Sequence, residues 1–200
     1  MRTVRKPRLY PKIARTHVKL CMVGDRGVGK TALIRKYVLN DYDNRYFQTV
    51  GTRVYRKRVG VRIAEYRMNV VADLEIWDIT GDKGLASILK EAYFYGAQGV
   101  IAICDMSRRE TLYDLDYWMD SALQVAKGAR MEIAVNKSDV PRKQIHPRDV
   151  DLVARAYECP YLFVSARSGE NTEALYAALI ISILRRKLAR RPRAPVPSAM

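Results

Sequence analysis

The stretch "GDRGVGKT", residues 24–31, decides the fold. Glycine, four residues, then glycine, lysine and threonine form a phosphate-binding loop when an apolar strand precedes them and a helix follows. "HVKLCMV" runs into the stretch and "TALIRKYVL" leaves it, so the sequence supplies both conditions. Gly24 and Gly29 allow tight turns, and the backbone of Gly24, Asp25, Arg26, Gly27, Val28, Gly29, Lys30, Thr31 and Ala32 is expected to wrap phosphate oxygens. Lys30 is placed to reach the β- and γ-phosphates, and Thr31 to ligate Mg²⁺.

Outward from this loop, short β-type runs alternate with amphipathic segments, which predicts α/β layers around a mainly parallel sheet. The strand candidates are "HVKLCMV", "TRVYRKRV", "VVADLEIWDI", "GVIAICDM", "MEIAVNK" and "YLFVSA". "GVIAICDM" lacks polar alternation, as a strand covered on both faces should. The helix candidates are "TALIRKYVL", "LASILKEAYFYG", "ETLYDLDYWMDSALQVA", "PRDVDLVARAYE" and "NTEALYAALIISILRRKLARR". In the last of these, apolar residues at 175, 176, 179, 180, 183 and 184 have the spacing of a face packed on the sheet.

A phosphate loop does not distinguish bases; "NKSD" at 136–139, directly after an apolar strand, does. Asp139 can accept two hydrogen bonds from the N1 and N2 hydrogens of guanine, a donor pair adenine lacks, so guanine is favoured. Asn136 is placed to bridge base and loop, and the stem of Lys137 to lie along the ring. "VSARSG" at 164–169 follows the next strand, and Ser165, Ala166 and Arg167 complete the expected base site, the Ala166 amide toward the guanine carbonyl oxygen.

With "GDRGVGKT", "QTVGT", "WDITGD", "NKSD" and "SAR" in this order and spacing, residues 18–184 resemble the small GTPases of the Ras superfamily. "ICDMSRRETL" and "LFVSARSGENTEALYAAL" make the likeness greatest to the Rab and Ras-type members. The resemblance implies the three-layer P-loop NTPase fold of the Ras-like G domain, a six-stranded sheet with five helices, binding GTP or GDP with Mg²⁺. It also implies two loops that change with nucleotide state. The first spans about 40–52, with Thr49 matching the Mg²⁺-coordinating threonine and Tyr42 an aromatic packed on guanine. The second starts at Asp78, matching an aspartate held near Mg²⁺ through water, and Gly81 matches the glycine whose amide contacts the γ-phosphate. Effector, exchange and activating proteins are expected at 40–52 and 78–95.

Two residues depart from the family pattern. Relatives usually carry "DTAGQ" where this chain has "DITGD", so Asp82 replaces the glutamine that orients the attacking water. An ionised aspartate only accepts, is one methylene shorter, and brings negative charge toward a negative γ-phosphate, which predicts slow hydrolysis. Arg26 stands where relatives carry a small residue. It either spreads over the γ-phosphate and supplies positive charge in cis, or pairs with Asp82 and closes over the site, or faces solvent. Asp82, Arg26, Lys30 and Gly81 form the expected catalytic set. The region near 59–69, "VGVRIAEYRMN", extends a hairpin between the second and third strands.

Charge adds a second theme. The chain carries 36 Lys and Arg against 21 Asp and Glu, a net +15. Six of the cations lie in 1–17 and six in 185–200, neither with an acid, and without them the body carries only +3. The organisation read from this is a basic extension over 1–17, the nucleotide domain over 18–184 and a basic, Pro-containing tail over 185–200. The tails suit weak contact with anionic lipid or nucleic acid, or simple solvation. The start lacks an apolar segment behind its charge, which argues against a secretory signal, and the longest apolar run, 174–184, is too short to span a bilayer. A cytoplasmic protein, peripheral at a membrane surface at most, is expected. No cysteine follows Cys159, so no prenyl anchor is expected. The three cysteines lie in apolar segments and suggest thiols in a reducing compartment, and neither His17 nor His146 has metal-ligand spacing.

The sequence therefore predicts a Mg²⁺-dependent GTP switch with slow hydrolysis and state-dependent partner binding. The rivals are a GTP-holding interaction module without turnover and a nucleic-acid-binding protein acting through its tails.

Overall fold

β1 (Lys12–Val23) pairs in parallel with β4 (Met68–Ile79) along almost its whole length and with β5 (Gly99–Asp105) at its end. The computed structural model describes residues 12–38, 47–49 and 51–189. β6 (Arg130–Asn136) and β7 (Tyr161–Phe163) extend the sheet in parallel beyond β5. On the other side β3 (Thr52–Ile63) runs antiparallel to β4, and the three-residue β2 (Phe47–Thr49) adds an antiparallel edge. The order is β2-β3-β4-β1-β5-β6-β7, which is the six expected strands plus this edge piece.

Helices cover both faces because the apolar positions of the inner strands point both ways. β5 is buried at every residue, as its continuous apolar run requires. α1 (Lys30–Val38) and α6 (Thr172–Ala189) close one face, where Leu33, Ile34 and Tyr37 meet Leu175, Tyr176 and Leu179, and the Tyr37 and Tyr176 rings stack at 3.8 Å. All six apolar positions read from the last helix are buried. α2 (Lys83–Phe94), α4 (Leu115–Val125) and α5 (Pro147–Ala156) close the other, around Trp118, Met119, Phe94 and Val150. The helix expected over 110–126 divides at Asp114 into the one-turn α3 (Glu110–Tyr113) and α4. The β3–β4 hairpin closes through a 3₁₀ turn at Ala64–Tyr66, with Arg67 in the left-handed region at φ 48°.

Residues 12–17, grouped with the basic extension by their charge, are sheet. Lys12 pairs with Met68 and His17 with Asp73. The alternation from Ala14 to Lys19 is that of a strand with one face in water, and Arg15 and His17 occupy the exposed positions. α6 likewise continues past residue 184 to Ala189.

The site residues gather at one end because β1, β4, β5 and β6 all finish there: Val23 before the loop, Asp78 in β4, Asp105 and Asn136 at the last positions of β5 and β6. In a parallel sheet that end is where ligands bind.

Candidate functional site

The loop after β1 folds as its glycines demand. Gly24 has φ +134°, and a Cβ there would sit 2.2 Å from the Ile103 carbonyl oxygen, so only glycine lets the chain pass β5 this closely. The Lys30 ammonium donates to the carbonyls of Gly24 at 2.6 Å and Asp25 at 2.8 Å. Burial pushes its pKa down to about 8, against the pull of Asp78 and Asp25. Thr31 Oγ1 donates to Asp78 Oδ2 at 2.5 Å, and Thr52 Oγ1 to the Asp78 carbonyl at 3.0 Å. Burial raises the Asp78 pKa, with Thr31 and Lys30 opposing.

These groups border a cleft of about 410 Å³ together with Arg26, Gly27, Thr80 and Gly81. A hydroxyl and a carboxylate within hydrogen-bond distance, beside a lysine, are hard oxygen donors next to a phosphate cradle, which fits Mg²⁺ held through one or two protein oxygens. Thr31 and Asp78 are the residues that would hold it.

Across the cleft, Gly81 lies against the loop backbone: a Cβ would come within 2.4 Å of the Arg26 nitrogen. Asp82 follows as the N-cap of α2, its Oδ1 accepting from Leu85 N at 3.0 Å. Its Oδ2 stands 3.8 Å from Arg26 Nη2, both side chains at least half exposed. Lys83 then reaches Asp114 at 2.7 Å and Asp25 at 4.0 Å, while the Tyr117 hydroxyl donates to the Lys83 carbonyl at 2.7 Å.

The base end is also built from the expected residues. Buried Asn136 donates through Nδ2 to the Val28 carbonyl at 2.8 Å and accepts through Oδ1 from Ala166 N at 3.0 Å. Ser165 donates to Asp139 Oδ1 at 2.7 Å, and this bond leads the lowering of the Asp139 pKa. Gly29, Ala32, Asn136, Lys137, Asp139 and Ala166 line a hollow of about 370 Å³. Lys137, at φ 64°, carries its ammonium to Asp105 Oδ2 at 2.5 Å.

A match to the Ras family covers residues 19–185. The chain belongs to the Ras family. Similar proteins include the Ras-related protein Rab-13 of Bos taurus, 28% identical over 175 residues that cover 86% of this chain and 83% of that one. Rab-27B of Bos taurus is also 28% identical, over 84% of this chain and 80% of its own. Rab-1A of Dictyostelium discoideum is 27% identical, over 87% and 84% respectively. Ras-family proteins are GTPases that use GTP, GDP and Mg²⁺ and bind effector, exchange and activating proteins, so the small-GTPase switch is this chain's function at family level.

The other expected site residues of this Ras-family chain stand as follows. The Asp25 side chain does not face the cleft: it accepts from Trp118 Nε1 at 2.8 Å, so only its backbone belongs to the loop. Val28 is wholly buried in the core and serves the site through its carbonyl. The Ala166 amide donates to Asn136 Oδ1, and Arg167, its side chain 90% exposed and its guanidinium 3.9 Å from Asp139 Oδ2, is among the residues that line the base hollow. Tyr42 lies outside the described residues, and of Thr49 only the backbone, in β2, is described. Sequence reading passed over Trp118, Lys83 and Arg108, which hold the loop from α4, α2 and the β5–α3 turn. Their contacts span up to 93 residues, and the sequence gives no local signal for them.

Proposed function

We propose that this Ras-family chain binds GTP with Mg²⁺ and hydrolyses it slowly, acting as a switch with a long-lived GTP state. The observation that carries this is the dual engagement of Asp82. One carboxylate oxygen caps α2 and the other faces Arg26, so the side chain standing where relatives place glutamine is committed to structure and offers no hydrogen to a water molecule. Lys30 and the loop amides supply positive charge and N–H donors to the phosphates; Thr31 and Asp78 would hold Mg²⁺, which would neutralise developing phosphate charge. Asp139 selects guanine, with Asn136 tying the base motif to Val28.

The same engagement favours the second reading, a GTP-holding interaction module with essentially no turnover. Single-turnover hydrolysis of preloaded GTP with Mg²⁺ separates the two. Slow product formation by the wild type, rising in Asp82→Gln, supports the switch; an inert wild type supports the module. A fast wild type whose activity collapses in Asp82→Ala makes Asp82 the water-positioning group and overturns both.

Partners are proposed at 40–52 and 78–95. Lys187 Nζ donates to Thr16 Oγ1 at 3.0 Å and to the His17 carbonyl at 2.8 Å, so the described chain begins and ends at one corner, away from the nucleotide cleft. Weak contact of the terminal cations with anionic lipid or nucleic acid is proposed there, tested by salt-dependent binding to vesicles and RNA before and after removal of residues 1–11 and 190–200. No described helix is long and apolar enough to cross a membrane.

A further inference from the structure

Buried Asp105 ends β5 and gathers three cation or hydroxyl partners on its carboxylate. Oδ1 accepts from Ser107 N at 3.0 Å and Ser107 Oγ at 2.7 Å. Oδ2 accepts from Lys137 Nζ at 2.5 Å and Arg108 Nε at 3.0 Å. Burial alone would raise the pKa of this acid; the hydrogen bonds from Lys137, Ser107 and Arg108 outweigh it and hold the group ionised, at about 2.

Arg108 does not stop at Asp105. Its Nη2 donates to the Arg26 carbonyl at 3.1 Å and lies 3.7 Å from where a Gly27 Cβ would stand. The Arg108 backbone is fixed as well: its N–H donates to the Asp105 carbonyl at 2.8 Å, and its carbonyl accepts from Thr111 Oγ1 at 2.7 Å. Thr111 Oγ1 in turn accepts from Asp105 N at 2.9 Å. One ionised carboxylate therefore holds the lysine of the guanine motif and, through a planar guanidinium, the outer turn of the phosphate loop. Such a planar fork reaches its two acceptors from two separate nitrogens, Nε toward Asp105 and Nη2 toward Arg26, where an ammonium has a single nitrogen to offer.

We propose that Arg108 is a positioning residue for nucleotide retention: braced on Asp105, it pins the Arg26–Gly27 turn so that the loop amides stay directed at the phosphates. Arg108 touches neither base nor reacting atoms; it acts through the loop. Its positive charge beside Arg26 and Lys30 also adds to the attraction for an anionic ligand, consistent with Arg108 being among the groups that lower the Lys30 pKa. The inference rests on the reading that the chain binds guanine nucleotide.

The test is release of a fluorescent GDP analogue from the full-length chain in Mg²⁺ buffer, for wild type, Arg108→Ala and Arg108→Lys, with the unfolding midpoint of each. Arg108→Ala is expected to speed release about tenfold or more, the size of one lost hydrogen bond to a charged group. Arg108→Lys should fall between, and added guanidinium ion at millimolar concentration should slow release from Arg108→Ala and leave wild type unchanged. That chemical rescue separates positioning from general loss of stability. Where Arg108→Ala does not fold, Arg108→Lys decides alone. Release within twofold of wild type in the folded variants, or faster release without rescue, overturns the brace while leaving nucleotide binding intact. A wild type that retains no GDP overturns both.

Discussion

Asp82 caps α2 with one oxygen, 3.0 Å from Leu85 N, and meets Arg26 with the other at 3.8 Å, so one side chain joins the second helix to the phosphate loop across the cleft. The two bonds differ in weight. The cap satisfies an otherwise orphaned amide and is worth about 1 kcal/mol. The ion pair is exposed, and pairs of this kind contribute about 0–1 kcal/mol, less in salt.

Asp82→Asn keeps the cap acceptor and removes the charge; Asp82→Ala removes both. The unfolding midpoint should therefore stay close to wild type in Asp82→Asn and fall by roughly 2–4 °C in Asp82→Ala. Calorimetry of the two variants checks this. Equal midpoints would mean that α2 starts without help from Asp82.

Lys83 fastens the start of α2 a second time, through Asp114 at 2.7 Å and the longer reach to Asp25. Both acids lie on the α4 side of the phosphate loop, so this lysine resists movement of the helix away from it. In Lys83→Ala, amide exchange over 85–87 should speed by roughly two- to fivefold, corresponding to ~0.4–1 kcal/mol of lost local stability. The global midpoint should move little. Exchange mass spectrometry reads the local term, and unchanged rates would show that Tyr117 and the cap suffice.

Much of this was readable from the chain alone, for identifiable reasons. "GDRGVGKT" and "NKSD" are contiguous, and each sits where an apolar strand ends, so local pattern and position in the sheet agree. The cap at Asp82 was also within reach, since an aspartate three residues before Leu85 at a helix start is the N-cap pattern; the comparison with glutamine drew the reading toward catalysis instead. The start of β1 is harder to read, because the cations of 12–17 mask the strand alternation over 14–19. The direction of Asp25 and the brace at Arg108 depend on Trp118 and Arg26, partners 93 and 82 residues away, and such contacts exist only once the sheet order is fixed.

Lys30 makes the site sensitive to alkaline pH. Its folded pKa, about 8, lies below the ordinary 10.5 because the ammonium is buried. Phosphate oxygens favour the charged form, so binding must restore the proton wherever it has been lost. GDP affinity should then hold steady below about pH 8 and decline above it, by at most about tenfold per unit. For the free protein the sign is opposite. The unfolded chain binds more protons between about 8 and 10.5, so the contribution of Lys30 to stability rises with pH across that window. Titration calorimetry with GDP from pH 7 to 9.5 tests the first statement, and an affinity flat to pH 9.5 would show that Lys30 keeps its proton.

Glu132 offers a separate test, away from the nucleotide. It sits in β6 opposite Ile101, 1% exposed, and burial pushes its pKa up to about 8 from 4.5. The folded protein therefore holds a proton that the unfolded chain has released. Stability from this group is complete below about 4.5 and is lost as pH rises through about 8, because charging the carboxylate inside the sheet lacks compensation. Glu132→Gln keeps the shape and cannot ionise. Its unfolding free energy should exceed that of wild type by an amount that grows between pH 5 and 8.5 and levels off beyond, on the order of a few kcal/mol at most. Denaturant unfolding at pH 5, 7 and 8.5 measures the difference. A gap that stays constant with pH would mean that Glu132 is ionised throughout.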